Sequence, residues 1–214
     1  MTSSWKHVTQ RMSLGLSTLL LVVLLAACGG TGGTGTGSTP TPKPPTPTPT
    51  PTTPAVAMQI YTGTNYSISY PQSWKVDSSS AQGISQTAIH DDVSGNAFTI
   101  VGTPDPGGVS SASSLADITI QTLEKSTVKN AQTVSVAPTV TINGVTWAQR
   151  SITGTTTVNG QDVPATIFLL VTLHPANAAN TNAYQLIYGG PTVTFTQANV
   201  LAFQPMLQSF KFKA

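Results

Sequence analysis

QTVSVAPTVTINGVTWAQRSITGTTTV, residues 132–158, decides the fold class. Two runs rich in Val, Ile and Thr stand on either side of Asn143-Gly144. A two-residue hairpin turn of type I′ needs positive φ at both central positions, and Asn followed by Gly supplies it at least cost. β-branched side chains pack well on a pleated surface, so both flanks favour strand. The stretch therefore predicts a long hairpin of 132–142 with 145–158. Successive strand residues face opposite sides, which puts Arg150 on the face of Ala148 and Ile152 and turns Trp147 to the other. Arg150 is expected to pair with Asp162 or Glu124, or else to stand as a solvated edge charge.

Working outward toward the carboxyl terminus, Asn159-Gly160-Gln161-Asp162 is a second turn leading into a strand over 163–173. Another strand over 183–188 ends at Gly189-Gly190-Pro191. A helix follows near 196–208, with Val200, Leu201, Phe203 and Leu207 on its apolar side. Pro205 lacks an N–H and is expected to kink or restart that helix. Residues 209–213 close the chain as a short alternating strand. Toward the amino terminus, 114–129 reads as helix, with Ser113 or Ser114 as N-cap and Asp117 in a first turn where the dipole favours an anion. Leu115, Ile118, Thr122 and Val128 follow helical spacing there. Earlier still, 58–61 and 66–70 form a hairpin about Thr62-Gly63-Thr64-Asn65, and strands over 84–89 and 97–101 are separated by the turn-rich 90–96. This order implies an α+β fold built on a mainly antiparallel sheet.

Only 7% of the 214 residues are charged, against about a quarter in typical soluble domains. Polarity comes instead from Thr, Ser, Asn and Gln. The formal charge of +2 becomes a balance of seven basic and seven acidic residues once Lys6 and Arg11 are set aside. A neutral domain offers no footprint to a phosphate backbone, so no nucleic acid is expected as a partner.

The first 54 residues are of another kind. Residues 1–12 carry Lys6 and Arg11 and no acid, and 13–25 are an apolar run shorter than the about 20 residues a membrane span needs. Ala26, Ala27 and Cys28 follow, completing the order of a secretory signal. Cys28 is the single cysteine, which excludes an intramolecular disulfide. Leu25-Ala26-Ala27-Cys28 also resembles the lipobox of bacterial lipoproteins, where the thiol is alkylated with diacylglycerol and the chain is cut just before it. The resemblance implies a lipoprotein signal peptide over 1–27, a mature chain beginning at a lipidated Cys28, and the bilayer as a partner. Two acyl chains, at about 0.8 kcal/mol per buried methylene, suffice for stable anchoring. The alternative is an uncleaved anchor with an incidental cysteine.

Residues 29–54 are Gly, Thr and Pro apart from Ser38 and Lys43, so 28–54 is expected as a disordered, lipid-anchored linker. Its Thr-Pro part, 40–54, would extend as polyproline II at about 3.1 Å per residue, roughly 45 Å in all. Residues 55–214 are the expected folded domain, held at the cell membrane and facing outside the cytoplasm.

The segment YSISYPQSW, 66–74, looks like the opening signature of PsbP-like and Mog1-like domains. A mid-chain helix, NGVTW at 143–147, AYQLIY at 183–188 and a terminal helix running into Ser209-Phe210-Lys211-Phe212 resemble that family in the same order. The likeness covers nearly all of 58–213. It implies an α/β/α sandwich around an antiparallel sheet and a non-catalytic role in binding or assembly.

Candidate sites are few. His90-Asp91-Asp92 is the one close cluster of metal-capable side chains, and His90 and Asp92 could chelate together with oxygen from Asn96. Asp, Ser, Gly and Asn are also what an ordinary turn uses, and that reading leads. Trp74 and Trp147 read as core before they read as ligand platforms. His174-Pro175 ends a strand and enters a polar loop. There is no Gly-x-Ser-x-Gly elbow, and Gly107-Gly108 lacks the Lys of a phosphate loop, so no catalytic residue and no cofactor are implied. The expected function is a membrane-tethered, non-catalytic module that binds another envelope protein. A lipoprotein capturing a small molecule or metal is the alternative, and a hydrolase comes last. An adaptor predicts shallow surfaces, a capture protein a cavity with convergent polar groups, and an enzyme a His or acid there with a partner in reach.

Overall fold

The computed structural model describes residues 56–104, 111–158, 161–176 and 181–213. Along these the chain makes β1 (Met58–Thr62), β2 (Tyr66–Pro71), β3 (Lys75–Ala81), β4 (Ile84–His90) and β5 (Ala97–Pro104), then helix α1 (Ala112–Ser126). Next come β6 (Lys129–Thr133), β7 (Thr139–Ile142), β8 (Val145–Val158), β9 (Gln161–His174) and β10 (Asn182–Pro191). The carboxyl-terminal part is α2 (Thr192–Ala198), a π turn over Asn199–Phe203, α3 (Gln204–Ser209) and β11 (Lys211–Phe212).

The fold is α+β, with two antiparallel sheets. The larger runs β3-β4-β5-β10-β9-β8-β6, with β7 pairing beside β6 along the same edge of β8; the smaller runs β1-β2-β11. β10 closes the large sheet by pairing β5 on one side and β9 on the other. One face of the β8–β9 half is covered by α1, through Ala116 and Ile120 on Ile152, Leu169 and Val171. The other face carries the main core, where Phe98, Tyr188 and Leu186 meet Phe195, Phe203 and Met206 of the terminal helices and Tyr66, Ile68 and Phe210 near the small sheet.

The Asn143-Gly144 turn forms as its sequence requires, with φ of 48° and 81°. Its first strand differs from the continuous 132–142 run. β6 and β7 are separate, and the residues between them, which include Pro138, keep contact with β8 through single bonds, Val134 N–H to Ser151 O and Gln149 N–H to Pro138 O. Proline cannot donate to a ladder, so the strand breaks where it stands. β3 was not expected at all. Its sequence, KVDSSSA, has poor strand propensity, and the Gln82-Gly83 turn, with φ of 53° and 82°, folds it back onto β4.

The helices also shift. Ser111, not Ser113 or Ser114, caps α1, its hydroxyl accepting from Ser114 N–H at 3.1 Å. Asp117 therefore falls beyond the first turn, and Ile118 is 55% exposed while Ala116 and Ile120 are buried. α1 ends at Ser126, so Lys129 starts a strand instead of finishing a helix. The terminal helix begins at Thr192 and restarts at Gln204-Pro205. Just before it, Gln204 N–H reaches back five residues to Asn199 O, the widened π turn that makes room for a proline ring.

Candidate functional site

Cys28 and the Gly/Thr/Pro linker lie outside the described residues, as does Gly107-Gly108. No helix among the described residues is long and apolar enough to cross a membrane.

His90 and Asp92 do come together at the end of β4. His90 Nε2 lies 3.1 Å from Asp92 Oδ1, and its Nδ1 lies 3.9 Å from Asp77 Oδ2 on β3. The other Asp92 oxygen accepts from the Lys75 ammonium. That hydrogen bond holds the Asp92 carboxyl below its ordinary pKa and raises that of Lys75. A cation already stands on this carboxylate. Asn96 is turned away, its amide donating to Ser94 Oγ at 2.7 Å and Thr194 Oγ1 at 3.3 Å. Asp91 closes the turn instead, accepting from Val93 N–H and the Ser94 hydroxyl. The buried Asn96 Oδ1 has no hydrogen-bond partner and faces Gly190, where a β-carbon would sit 2.1 Å from it. Among the described residues no group of three or more His, Cys, Asp or Glu side chains is placed to hold a metal.

Trp74 and Trp147 are both core. Trp74 meets the Phe203 ring edge-on at 5.6 Å, and Trp147, fully buried, packs on Phe210 and Phe212. Beside Trp147 opens a cavity of about 550 Å³, walled by Ile142, Val145, His174, Phe210 and Phe212, with Asn143 and Lys211. The His174 ring stacks on Phe212 at 3.8 Å, and burial pushes its pKa down. Asn143 is committed to the fold, donating to Gln208 O and Phe210 O. Among the described residues no carboxylate or hydroxyl side chain lines this cavity beside His174.

Arg150 pairs with neither Asp162 nor Glu124. Its Nε donates to Asp117 Oδ1 at 2.6 Å and a second nitrogen to Ser113 Oγ at 2.8 Å, pinning α1 to the sheet. Asp162 is held by Lys129 at 2.9 Å and by the Thr157 hydroxyl. Sequence spacing could not choose among these acids, because the docking of α1 across β8 decides which one arrives.

A second cavity, of about 230 Å³, was not foreseen. It lies between the β1–β2 turn and the β3–β4 hairpin, against the end of β10. Strand register builds it: Ser80 pairs with Ser85, Ser85 with Gly102 and Gly102 with Tyr184, a row of small hydroxyl residues ending in one ring. Tyr61 and Tyr66 of the small sheet close it from across. The hydroxyls form a chain. Tyr66 donates to Thr87 Oγ1 at 2.8 Å, Thr87 donates to Tyr61 at 3.3 Å, and the Tyr61 and Ser78 hydroxyls are hydrogen-bonded at 2.8 Å, either one donating. Burial pushes the Tyr66 phenol up to about 12 despite the Thr87 bond. Two glycines admit the close approach: a β-carbon at Gly63 would meet the Tyr66 ring at 2.8 Å, and one at Gly102 would meet Ser85 Oγ at 2.7 Å. The legible signal was SSS at 78–80 opposite Ser85 and Thr87, but reading it required knowing that β3 exists.

No protein-family model and no curated protein matches the chain. Among solved structures it is similar to LpqN, described as involved in cell envelope biogenesis of Mycobacterium tuberculosis. The identity is 12% and the TM-score 0.43, over 74% of this chain and 91% of that one. A likeness this distant carries no function across.

Proposed function

We propose that this chain is an extracytoplasmic lipoprotein, tethered to the cell membrane through a diacylglyceryl Cys28, whose PsbP-like and Mog1-like domain is a non-catalytic module binding another envelope protein. The observation that carries the reading is Leu25-Ala26-Ala27-Cys28 directly after the apolar run 13–25. Gly29 and Gly30 leave the modified end uncrowded, and the Thr-Pro stretch beyond them holds the domain off the bilayer as a semi-rigid spacer. Confinement to a surface raises the effective concentration of the domain for any neighbour on the same membrane, so a weak interface suffices. Near-neutral charge supports a protein partner over nucleic acid.

The test is Cys28→Ser in the native host, followed by membrane fractionation and intact-mass measurement. The parent chain is expected in the membrane fraction, carrying the mass of two acyl chains on its first residue. The variant is expected to keep residues 1–27 and lose the lipid mass. A variant cut at the same bond and still retained by the membrane would overturn the anchor. Crosslinking in intact cells then tests the partner: recovery of an envelope protein joined to the folded domain supports the module, and recovery of none counts against it.

A further inference from the structure

We propose that the cavity between the β1–β2 turn and the β3–β4 hairpin binds one neutral polyhydroxyl unit, a sugar ring. It goes beyond the anchoring reading and does not depend on it.

Charge is the first argument. No described side chain in the wall is acidic or basic: it is made of tyrosines, serines, threonines, Asn65 and Gln86 with Gly63. Asp77 is on the opposite face of β3 from Ser78, toward His90. The Lys213 ammonium reaches only the rim, where it donates to the Gly63 carbonyl. Past that rim an ionised ligand would lose hydration and meet no charged side chain among the described residues. A neutral polyol loses far less.

Hydrogen-bond chemistry is the second. Each hydroxyl offers one donor and two acceptor positions. Tyr66 donates to Thr87 and Thr87 to Tyr61, while Ser78 stands within hydrogen-bond distance of both Tyr61 and Thr87, at 2.8 and 3.2 Å, so the network closes on Ser78. The two bonds of Ser78 can each run in either direction, so a donor is released to a ligand that supplies one in exchange. A ligand whose own hydroxyls both give and take can extend such a chain at several points. A ligand with acceptors only, or with apolar atoms only, would leave it unmatched.

Shape is the third. At about 230 Å³ the space holds about seven waters at roughly 30 Å³ each, the bulk of one pyranose ring. Tyr61, only partly buried in the wall, supplies ring surface on which the polarised C–H groups of a sugar can pack. Gly63 and Gly102 let the Tyr66 ring and the Ser85 hydroxyl pack close, and so set the walls of the space.

The experiment measures binding by saturation-transfer NMR to the full chain, extracted in a zwitterionic detergent that carries no sugar, or taken from the soluble fraction if anchoring fails. Glucose, galactose, mannose, N-acetylglucosamine and maltose are the neutral probes, with glucuronate and gluconate as charged controls. At least one neutral probe is expected to bind saturably in the millimolar range, the affinity of about a dozen heavy atoms at ordinary ligand efficiency. Both anions should bind about tenfold more weakly or not at all. A soluble dextrin added at equal concentration of non-reducing ends separates the sources: binding equal to maltose assigns a glycan end, and weaker binding assigns a free sugar. Tyr61→Phe and Ser78→Ala, both at the open side of the network, are expected to weaken the best probe about five- to tenfold each with unchanged circular dichroism. Silence from all five neutral probes, anions binding as well as neutrals, or wild-type affinity in both variants would each overturn the proposal.

Discussion

Two rows on the same face of the large sheet make opposite uses of one geometry. The first reads Val76, Ile89, Phe98, Tyr188 and Phe168 across five strands; the second, four residues along, reads Ser80, Ser85, Gly102, Tyr184 and Thr172. Backbone pairing and alternation are the same in both. In the first row the rings stack, Phe98 on Tyr188 at 5.7 Å and Tyr188 on Phe168 at 5.3 Å. In the second, small hydroxyl residues stop short of Tyr61 and Tyr66 and a cavity opens. Side-chain volume and polarity alone turn one end of a sandwich into core and the other into a candidate site.

The contrast can be broken by truncation. Phe98→Ala removes a fully buried ring that also meets Phe203, and should cost about 3–5 kcal/mol of unfolding free energy. Ser85→Ala, in the hydroxyl row, should stay within about 0.5 kcal/mol. Denaturant unfolding of the two variants would show it, and similar losses would mean that the second row is core after all.

Adding a methyl group sharpens it. A β-carbon at Gly189 would stand 2.3 Å from the Thr166 carbonyl oxygen and 3.0 Å from the Ile167 Cα, both backbone atoms that cannot step aside. At Gly102 the nearest obstacle is the Ser85 hydroxyl at 2.7 Å, which can rotate, with the Tyr184 ring next at 3.3 Å and no backbone atom among the three closest. Gly189→Ala should therefore lose about 2–3 kcal/mol and Gly102→Ala less than about 1 kcal/mol. The second variant should also lose ligand more than it loses stability.

The last effect is confined to alkaline pH. Tyr66 in the folded chain ionises near 12, against 10.0 when unfolded. The folded state holds that proton more tightly, so the stability it contributes is complete below about pH 10 and falls as pH rises toward 12. Tyr188, more deeply buried, shifts in the same direction. Unfolding measured across that window should weaken with pH, and Tyr66→Phe should flatten part of the slope. An unchanged slope in the variant would place the Tyr66 hydroxyl in water.

How much of this was legible follows from the range of each cause. Asn143-Gly144 set a turn by its own φ preferences, and Pro205 restarted a helix by lacking one hydrogen; both are local and both were readable. The α+β class followed from the order of such segments. β3 was not readable, because KVDSSSA becomes a strand only when β4 offers it an edge. The N-cap was missed by two or three residues because four serines between 110 and 114 offer similar caps. The partner of Arg150 was missed because Asp117 arrives through the docking of a whole helix.

The sequence by itself determined the strand-and-turn vocabulary, the near-neutral charge, and the basic, apolar and small-residue order ending at Cys28, since each depends on neighbours along the chain. Only the tertiary structure decided that β10 lies in the middle of the large sheet, that His90 and Lys75 both meet the Asp92 carboxylate, and that Tyr61, Tyr66, Ser78 and Thr87 converge. Those outcomes depend on which strands pair across long stretches of chain. That pairing is set by burying the aromatic core as a whole, and no local window of residues contains it.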